Sequence, residues 1–241
     1  MLKAGSPARF LVLEGADGSG KTAIAAAVCA ELRARGRAVV PVSRVNPSGR
    51  AAYARVVADI AEMFRVSDEA GSPLPLLALG AALQHVTMFE SQVRPALDDG
   101  ACVIADSWWA KTRVRFAVEA RRCTDWRAED HQWFDRWLAG LFRYAYAGRE
   151  AEVVTVLIDT SKEDRVRWYS RLREKQAVYD RRGASTQDPA EFGDFTDEIQ
   201  QQLRVIAARS QWPQVENRNG KDLLATARET LAVAVGTRGG G

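Results

Sequence analysis

The eight residues Gly15-Ala16-Asp17-Gly18-Ser19-Gly20-Lys21-Thr22 decide how this chain folds. They follow the apolar run Phe10-Leu11-Val12-Leu13 and open an Ala-rich segment from Ala23 to Leu32. Strand, glycine loop and helix in that order are the setting that a G-x-x-x-x-G-K-[ST] motif requires. Glycines let the backbone wrap an anion and turn successive N–H groups inward, and the following helix adds the positive end of its dipole. At ordinary glycine content a chance match is about a 1-in-100 event, and the flanking elements lower it further. The stretch therefore predicts a nucleoside triphosphate site built from Gly15, Asp17, Gly18, Ser19, Gly20, Lys21 and Thr22. Lys21 would reach the β- and γ-phosphates of ATP, and the Thr22 hydroxyl would sit on Mg²⁺.

Composition sets the frame. The chain has 241 residues, enough to bury a substantial core as one α/β unit with a small lid. Lys plus Arg is 34 and Asp plus Glu is 31, a net charge of +3 that gives no warrant for a nucleic-acid surface. Cys29, Cys102 and Cys123 have no metal-ligand spacing, which fits reduced, buried thiols. No apolar run reaches the ~18 residues of a membrane span. Gly5-Ser6-Pro7 interrupts the segment where a signal peptide would lie, so the expected location is cytoplasmic.

Along the chain, strands alternate with helices. Residues 9–14 read as a strand, 21–35 as a helix closed by Gly36, and 38–42 as a second strand that Pro41 consigns to an edge or an exit. A helix follows from Ala51 to Phe64, then a polar connection from Ser67 to Pro75, then a long helix over 76–97. Ala101 to Asp106 reads as a buried strand, the Arg- and Trp-rich stretch 108–124 as a segment holding one helix, and 126–146 as a helix. The apolar stripe on that last helix, Phe134, Leu138 and Phe142 beside Trp133 and Trp137, suits core or a dimer face better than a base-stacking platform. Glu152 to Asp159 is a strand, Ser161 caps a helix over 162–173, and 176–192 reads as a mobile loop. A helix over 195–209, a short strand at Val215, a helix over 223–235 and a tail from 236 complete the chain. The pattern predicts about five parallel strands covered on both faces.

The stretch Phe10 to Thr22, with its Glu14-Gly15 and Asp17-Gly18-Ser19-Gly20-Lys21-Thr22, resembles the opening of the thymidylate kinase family. The segment Leu76 to His85, then Arg94-Pro95-Ala96-Leu97 and Val103-Ile104-Ala105-Asp106, is similar to that family's long helix and third strand. The resemblance implies a P-loop kinase fold, an ATP-dependent phosphoryl transfer with Mg²⁺, a small-molecule acceptor and a homodimer. It places Asp17 toward a sugar hydroxyl of the acceptor, where it would orient or weakly activate the attacking oxygen. Asp106, at a strand end, is the candidate for the outer shell of the metal. Arg167, Arg171, Arg173, Arg181 and Arg182 lie in or beside the family's lid, with Arg171 and Arg182 the first choices for closing over the phosphoryl group.

The departures fall on the acceptor side. Ala78 stands where the family has an aromatic that stacks on thymine, and Ala82 where it has a nucleotide-binding arginine. Asp106 is followed by Ser107-Trp108-Trp109 rather than by the arginine that holds the acceptor phosphate. Arg44 is followed by Val45-Asn46-Pro47, without the glutamate of the family's Arg-Glu-Pro. Arg44 and Gln84 keep the family's residue type. Trp108, Trp109, Lys111 and Arg113 are candidates for a new pocket, the alternative for the tryptophans being hydrophobic packing under the lid. Three readings follow: a kinase with an altered acceptor, a true dTMP kinase in which residues such as Arg113 or Arg115 supply the missing contacts, or a nucleotide-binding switch without turnover.

Overall fold

The computed structural model describes residues 9–42, 51–70, 73–142, 146, 148–173 and 188–236. Five strands form one parallel sheet in the order β2-β3-β1-β4-β5. They are β1 (Phe10–Glu14), β2 (Val39–Val42), β3 (Cys102–Ala105), β4 (Val153–Asp159) and β5 (Gln214–Glu216). All five residues of β1 are buried, as a central parallel strand covered on both faces requires. Phe10 pairs with Val103 on one side and Val153 on the other, which sets the carboxyl ends of β1, β3 and β4 side by side. Ligands of open parallel sheets bind at such ends. Pro41 sits in β2 at the edge, where one face of the ladder needs no N–H.

Helices α1 (Lys21–Ala34) and α9 (Leu223–Gly236) cover one face of the sheet. Ile24, Val28 and Leu231 meet Leu11, Leu13, Ile104, Val156 and Ile158 there. The other face packs Phe10, Val12 and Val103 against Phe89, Val93 and Trp108. Beyond it lie α2 (Ala51–Ala70), α3 (Leu74–Met88), α4 (Arg94–Asp98), α5 (Trp109–Arg121) and α6 (Ala128–Leu141). The last two helices are α7 (Lys162–Arg173) and α8 (Pro189–Arg209).

Three expectations need correction. The segment 67–75 is not a long connection: α2 continues to Ala70 and α3 starts at Leu74. Ser67, Asp68 and Glu69 are polar but place no stop on a helix, whereas Pro73 does. The helix over 76–97 contains a π-helical turn, Phe89–Val93, just before Pro95. A regular α-helix would drive the Pro95 ring into the carbonyl four residues earlier, and the widened turn relieves that clash. Third, 189–192 belong to α8, whose start is fixed by Pro189 and by the Asp188 carboxylate accepting from the Ala190 N–H at 2.8 Å. The rest of the expected loop, 176–187, and the tail from 237 lie outside the described residues.

The aromatic stripe of α6 divides. Phe134 and Leu138 are buried, with Phe142 just beyond the helix, whereas Trp133 stacks on Trp137 at 5.7 Å and is half exposed. Cys29 and Cys102 are buried free thiols and Cys123 is partly buried. Among the described residues no helix is long and apolar enough to cross a membrane.

Candidate phosphate-binding and acceptor site

The loop between β1 and α1 takes its shape from two left-handed glycines, Gly18 at φ +78° and Gly20 at φ +81°. Both are also hemmed in. A Cβ on Gly20 would lie 2.6 Å from Asn217 Nδ2, and one on Gly18 would lie 3.1 Å from the Arg165 carbonyl oxygen. The loop is gripped from behind by distant parts of the chain. Gln200 Oε1 accepts from the Ala16 N–H at 2.8 Å, and Asn217 Nδ2 donates to the Ser19 carbonyl at 2.9 Å. Gln200 is itself held by Asp159 at 2.8 Å, which Arg204 also meets at 2.8 Å. Arg165, fully buried, ties the loop's neighbour α7 to α8 through Asp197 at 2.7 Å.

The opening N–H groups of α1 have no intrahelical acceptor, and the Lys21 side chain folds back over the loop. That ammonium donates to the Ala16 carbonyl at 2.6 Å and to Ser19 Oγ at 3.1 Å. Burial, then the charge of Lys111, pushes its pKa down to about 8, against the pull of Asp17, Asp106 and Glu14. Thr22 Oγ1 donates to Asp106 Oδ2 at 2.7 Å. This hydroxyl–carboxylate pair is a hard-oxygen set that suits Mg²⁺, completed by water and phosphate oxygens. Among the described residues no cluster of three or more His, Cys, Asp or Glu side chains stands ready to hold a metal. The glycine cradle, Lys21 and the Thr22–Asp106 pair together fit a magnesium–triphosphate group.

Beside the loop lies a buried charge cluster. Glu14, the last residue of β1, is wholly buried. Its Oε1 accepts the N–H groups of Trp108 at 3.2 Å and Ala110 at 3.1 Å, and its Oε2 that of Lys111 at 3.2 Å. An acidic side chain thus caps α5, where the helix dipole favours negative charge. Desolvation nonetheless raises its pKa from the ordinary 4.5 to about 7, against the nearby charges of Lys21 and Lys111. Burial, then the Glu14 charge, also drives the Tyr146 phenol above its ordinary value, while hydrogen bonds with Thr155 and Trp109 oppose the shift. Lys111 Nζ pairs with Asp17 Oδ1. Burial alone would raise the Asp17 pKa, but Lys111, Lys21 and Arg115 outweigh it and hold the carboxyl well below the usual range. A carboxylate so stabilised is a poor base. While Lys111 rests on it, Asp17 is better suited to orienting an attacking oxygen than to taking its proton.

The candidates from sequence divide accordingly. Gly15, Asp17, Gly18, Ser19, Gly20, Lys21, Thr22, Asp106 and Lys111 converge on one place. Trp108 does not line a pocket: it is fully buried, edge-on to Phe10 at 5.4 Å and His85 at 5.1 Å. Trp109 packs between the core clusters and meets Tyr146 at 6.3 Å. Gln84 is buried, donating to the Val57 carbonyl at 3.4 Å, so it joins α3 to α2. Arg113 is two residues from Lys111 and therefore faces another way, while Arg115 shares the Lys111 face and is paired with Glu119 at 2.8 Å. Arg167 is half exposed and pairs with Asp164 at 3.4 Å. Arg171 lies in the last turn of α7, its side chain outside the described residues, and Arg44, Arg181 and Arg182 lie outside them altogether. Gln200 and Asn217 escaped the sequence reading, and Glu14 entered it only within the stretch that carries the resemblance. A carboxylate closing an apolar strand was a signal for Glu14; the other two lie 184 and 198 residues from their loop partners and gave none.

A central-strand glycine loop, a lysine inside it and a Thr–Asp pair at its flank define a P-loop kinase fold. The family model for thymidylate kinase matches residues 13–111, and over that span the chain is thymidylate kinase-like. The curated thymidylate kinase of Cereibacter sphaeroides (strain ATCC 17029 / ATH 2.4.9) is 36% identical over 112 residues, which is 45% of this chain and 47% of that protein. That of Chromohalobacter salexigens is 36% identical over 115 residues, 47% of this chain and 50% of that protein. The chain thus spans about half the length of the curated relatives it matches.

Proposed function

We propose that this chain is an ATP-dependent kinase that transfers a phosphoryl group to a nucleotide- or nucleoside-like small molecule, with an acceptor site altered from that of thymidylate kinases. The observation that supports it best is the assembled donor side: Lys21 poised in the loop and Thr22 hydrogen-bonded to Asp106 at 2.7 Å. ATP supplies the transferable phosphoryl group and Mg²⁺ the charge neutralisation. The loop amides and Lys21 would hold the phosphates, Thr22 and Asp106 the metal, and Asp17 would orient the acceptor. Arg171 and Arg182 are the lid cations of this reading, and Arg44 an acceptor contact.

Support for an altered acceptor comes from α3. Ala78 is wholly buried and Ala82 nearly so, both inside a cluster with Phe116, Phe134 and Leu138. Side chains of α5 and α6 fill the volume on that side of α3, and replacing a stacking ring by alanine there removes contact area from any base. The second reading, turnover of dTMP itself, draws on the names of the relatives and on Arg115, whose charge reaches Asp17.

A cytoplasmic homodimer completes the proposal. Leu76, Leu79, Leu83 and Val86 recur at helical spacing on one stripe of α3, each 43–51% exposed. So continuous an apolar face suits a second copy of the chain. The deciding assay is ADP release from Mg·ATP with dTMP, other nucleoside monophosphates, nucleosides and modified nucleosides, using Lys21→Ala as control. Turnover of a member other than dTMP supports the altered site. Strong dTMP turnover favours the second reading, and tight ATP binding without turnover on the whole panel refutes both.

A further inference from the structure

Lys111 stands in the first turn of α5 with a side chain only 10% exposed, its ammonium on a carboxylate of the phosphate-binding loop. The backbone that bears it is fixed, because Glu14 Oε2 accepts the Lys111 N–H at 3.2 Å. Lys21 reaches the carbonyl of Ala16, the residue before Asp17, at 2.6 Å, so both ammonium groups bear on the same part of the loop. Arg115, one turn along the same face of α5, adds a third positive charge to the surroundings of Asp17. A lysine–carboxylate pair gains little net stability once the desolvation of its ions is counted, and here the Asp17 side chain still meets water at 25% exposure. Lys21 and Arg115 bring further positive charge to its surroundings, offset by Asp106 and Glu14 acting on Lys21 and by Glu119 on Arg115. Lysine also suits an exchange of partners, being a compact charge on a flexible stem that can swing between oxyanions.

We propose that Lys111 is an acceptor-side phosphate cation: it rests on Asp17 and passes to a phosphate oxyanion that arrives beside the loop, leaving Asp17 to accept a hydrogen bond from the incoming molecule. The inference rests on the kinase reading for its placement of that phosphate next to the donor. The oxyanion has two sources, the acceptor's own phosphate and the phosphoryl group in transit, and kinetics separate them. Loss of Lys111 raises the acceptor KM in the first case and lowers kcat at constant KM in the second.

The test is calorimetric binding of inorganic phosphate to the Mg·ADP-loaded protein, for the wild type, Lys111→Met, Asp17→Asn and the double variant. Phosphate is expected to bind the wild type, and Lys111→Met to weaken it by about tenfold or more, the worth of a charge-assisted hydrogen bond. The same loss is expected when Lys111→Met is made in the Asp17→Asn background, where it strands no carboxylate and melting temperature confirms folding. Equal phosphate affinity of Asp17→Asn and the double variant would show that Lys111 serves only Asp17, and would overturn the inference. Failure of the wild type to bind phosphate would overturn it too. A wild type that phosphorylates an acceptor but shows no Lys111 dependence refutes this inference and spares the kinase reading. If Mg·ADP does not bind, the kinase reading fails, and titration of the same four proteins with phosphate alone still decides the role of Lys111.

Discussion

Replacing Glu14 by Gln probes the junction between the phosphate loop and α5 with a signed expectation. The Glu14 carboxyl titrates at an ordinary 4.5 in the unfolded chain and at about 7 in the folded one, where burial outweighs the neighbouring charges. Between those pH values the folded state binds a proton that the unfolded state has already released. Stability must therefore fall as pH rises through this window: the contribution is complete below 4.5 and lost by the time the folded carboxyl ionises near 7. At about 1.4 kcal/mol per pH unit, the interval is worth about 3 kcal/mol. The substituted amide does not titrate, although it sets an NH₂ against backbone donors and costs a pH-independent amount of about 1–3 kcal/mol. Only the slope is diagnostic. Urea midpoints for both proteins between pH 4.5 and 8 give the stability difference. The variant should gain on the wild type by about 3 kcal/mol across the window and run parallel to it above pH 7.5. A flat difference would mean that the three N–H groups offset the desolvation of the carboxylate in full, and the reasoning would be wrong.

Gly20→Ala places a Cβ 2.6 Å from Asn217 Nδ2 at φ +81°, so it should lower stability by about 1–2 kcal/mol and weaken Mg·ATP binding measured by calorimetry far more. Arg165→Met removes a charge-assisted hydrogen bond to the partly exposed Asp197, and thermal or urea unfolding should show a loss of about 1.5–3 kcal/mol. Leu79→Glu with Leu83→Glu puts two charges into the exposed stripe of α3. By sedimentation the wild type should run as the proposed dimer and the variant as a monomer with its helical signal kept. Thr22→Val removes the hydroxyl that donates to Asp106, and the Mg²⁺ concentration needed for half-maximal ADP release should rise about tenfold.

The fold is legible because its signals are local. The apolar run of β1, the glycines after it and the Ala-rich α1 each specify their own conformation, and the strand–helix alternation leaves few topologies. Errors arise where polarity imitates punctuation. Ser67, Asp68 and Glu69 have the composition of a loop, and Asp188-Pro189 opens a helix rather than closing one. The meeting of Lys21, Thr22 and Asp106 is equally readable, since each takes its place from the loop or from the strand end beside it. Trp108 is not, because aromatic residues serve cores and pockets alike and only packing against Phe10 and His85 separates the two. Nor is the pairing of Lys111 with Asp17, which depends on where α5 starts, and that start depends in turn on Glu14.

The residues that hold the loop from behind come from a distant part of the chain. Gln200 and Asn217 reach back across 184 and 198 positions to Ala16 and Ser19. The motif is synthesised long before its shape can be finished. A nascent chain that has emerged only as far as α6 already displays every residue of the glycine signature and lacks both of its anchors. Competence to seize a nucleotide should thus switch on late in synthesis, as α8 and β5 dock. The N-terminal half that resembles thymidylate kinases would then be the text of a binding site whose grammar is written by the C-terminal half.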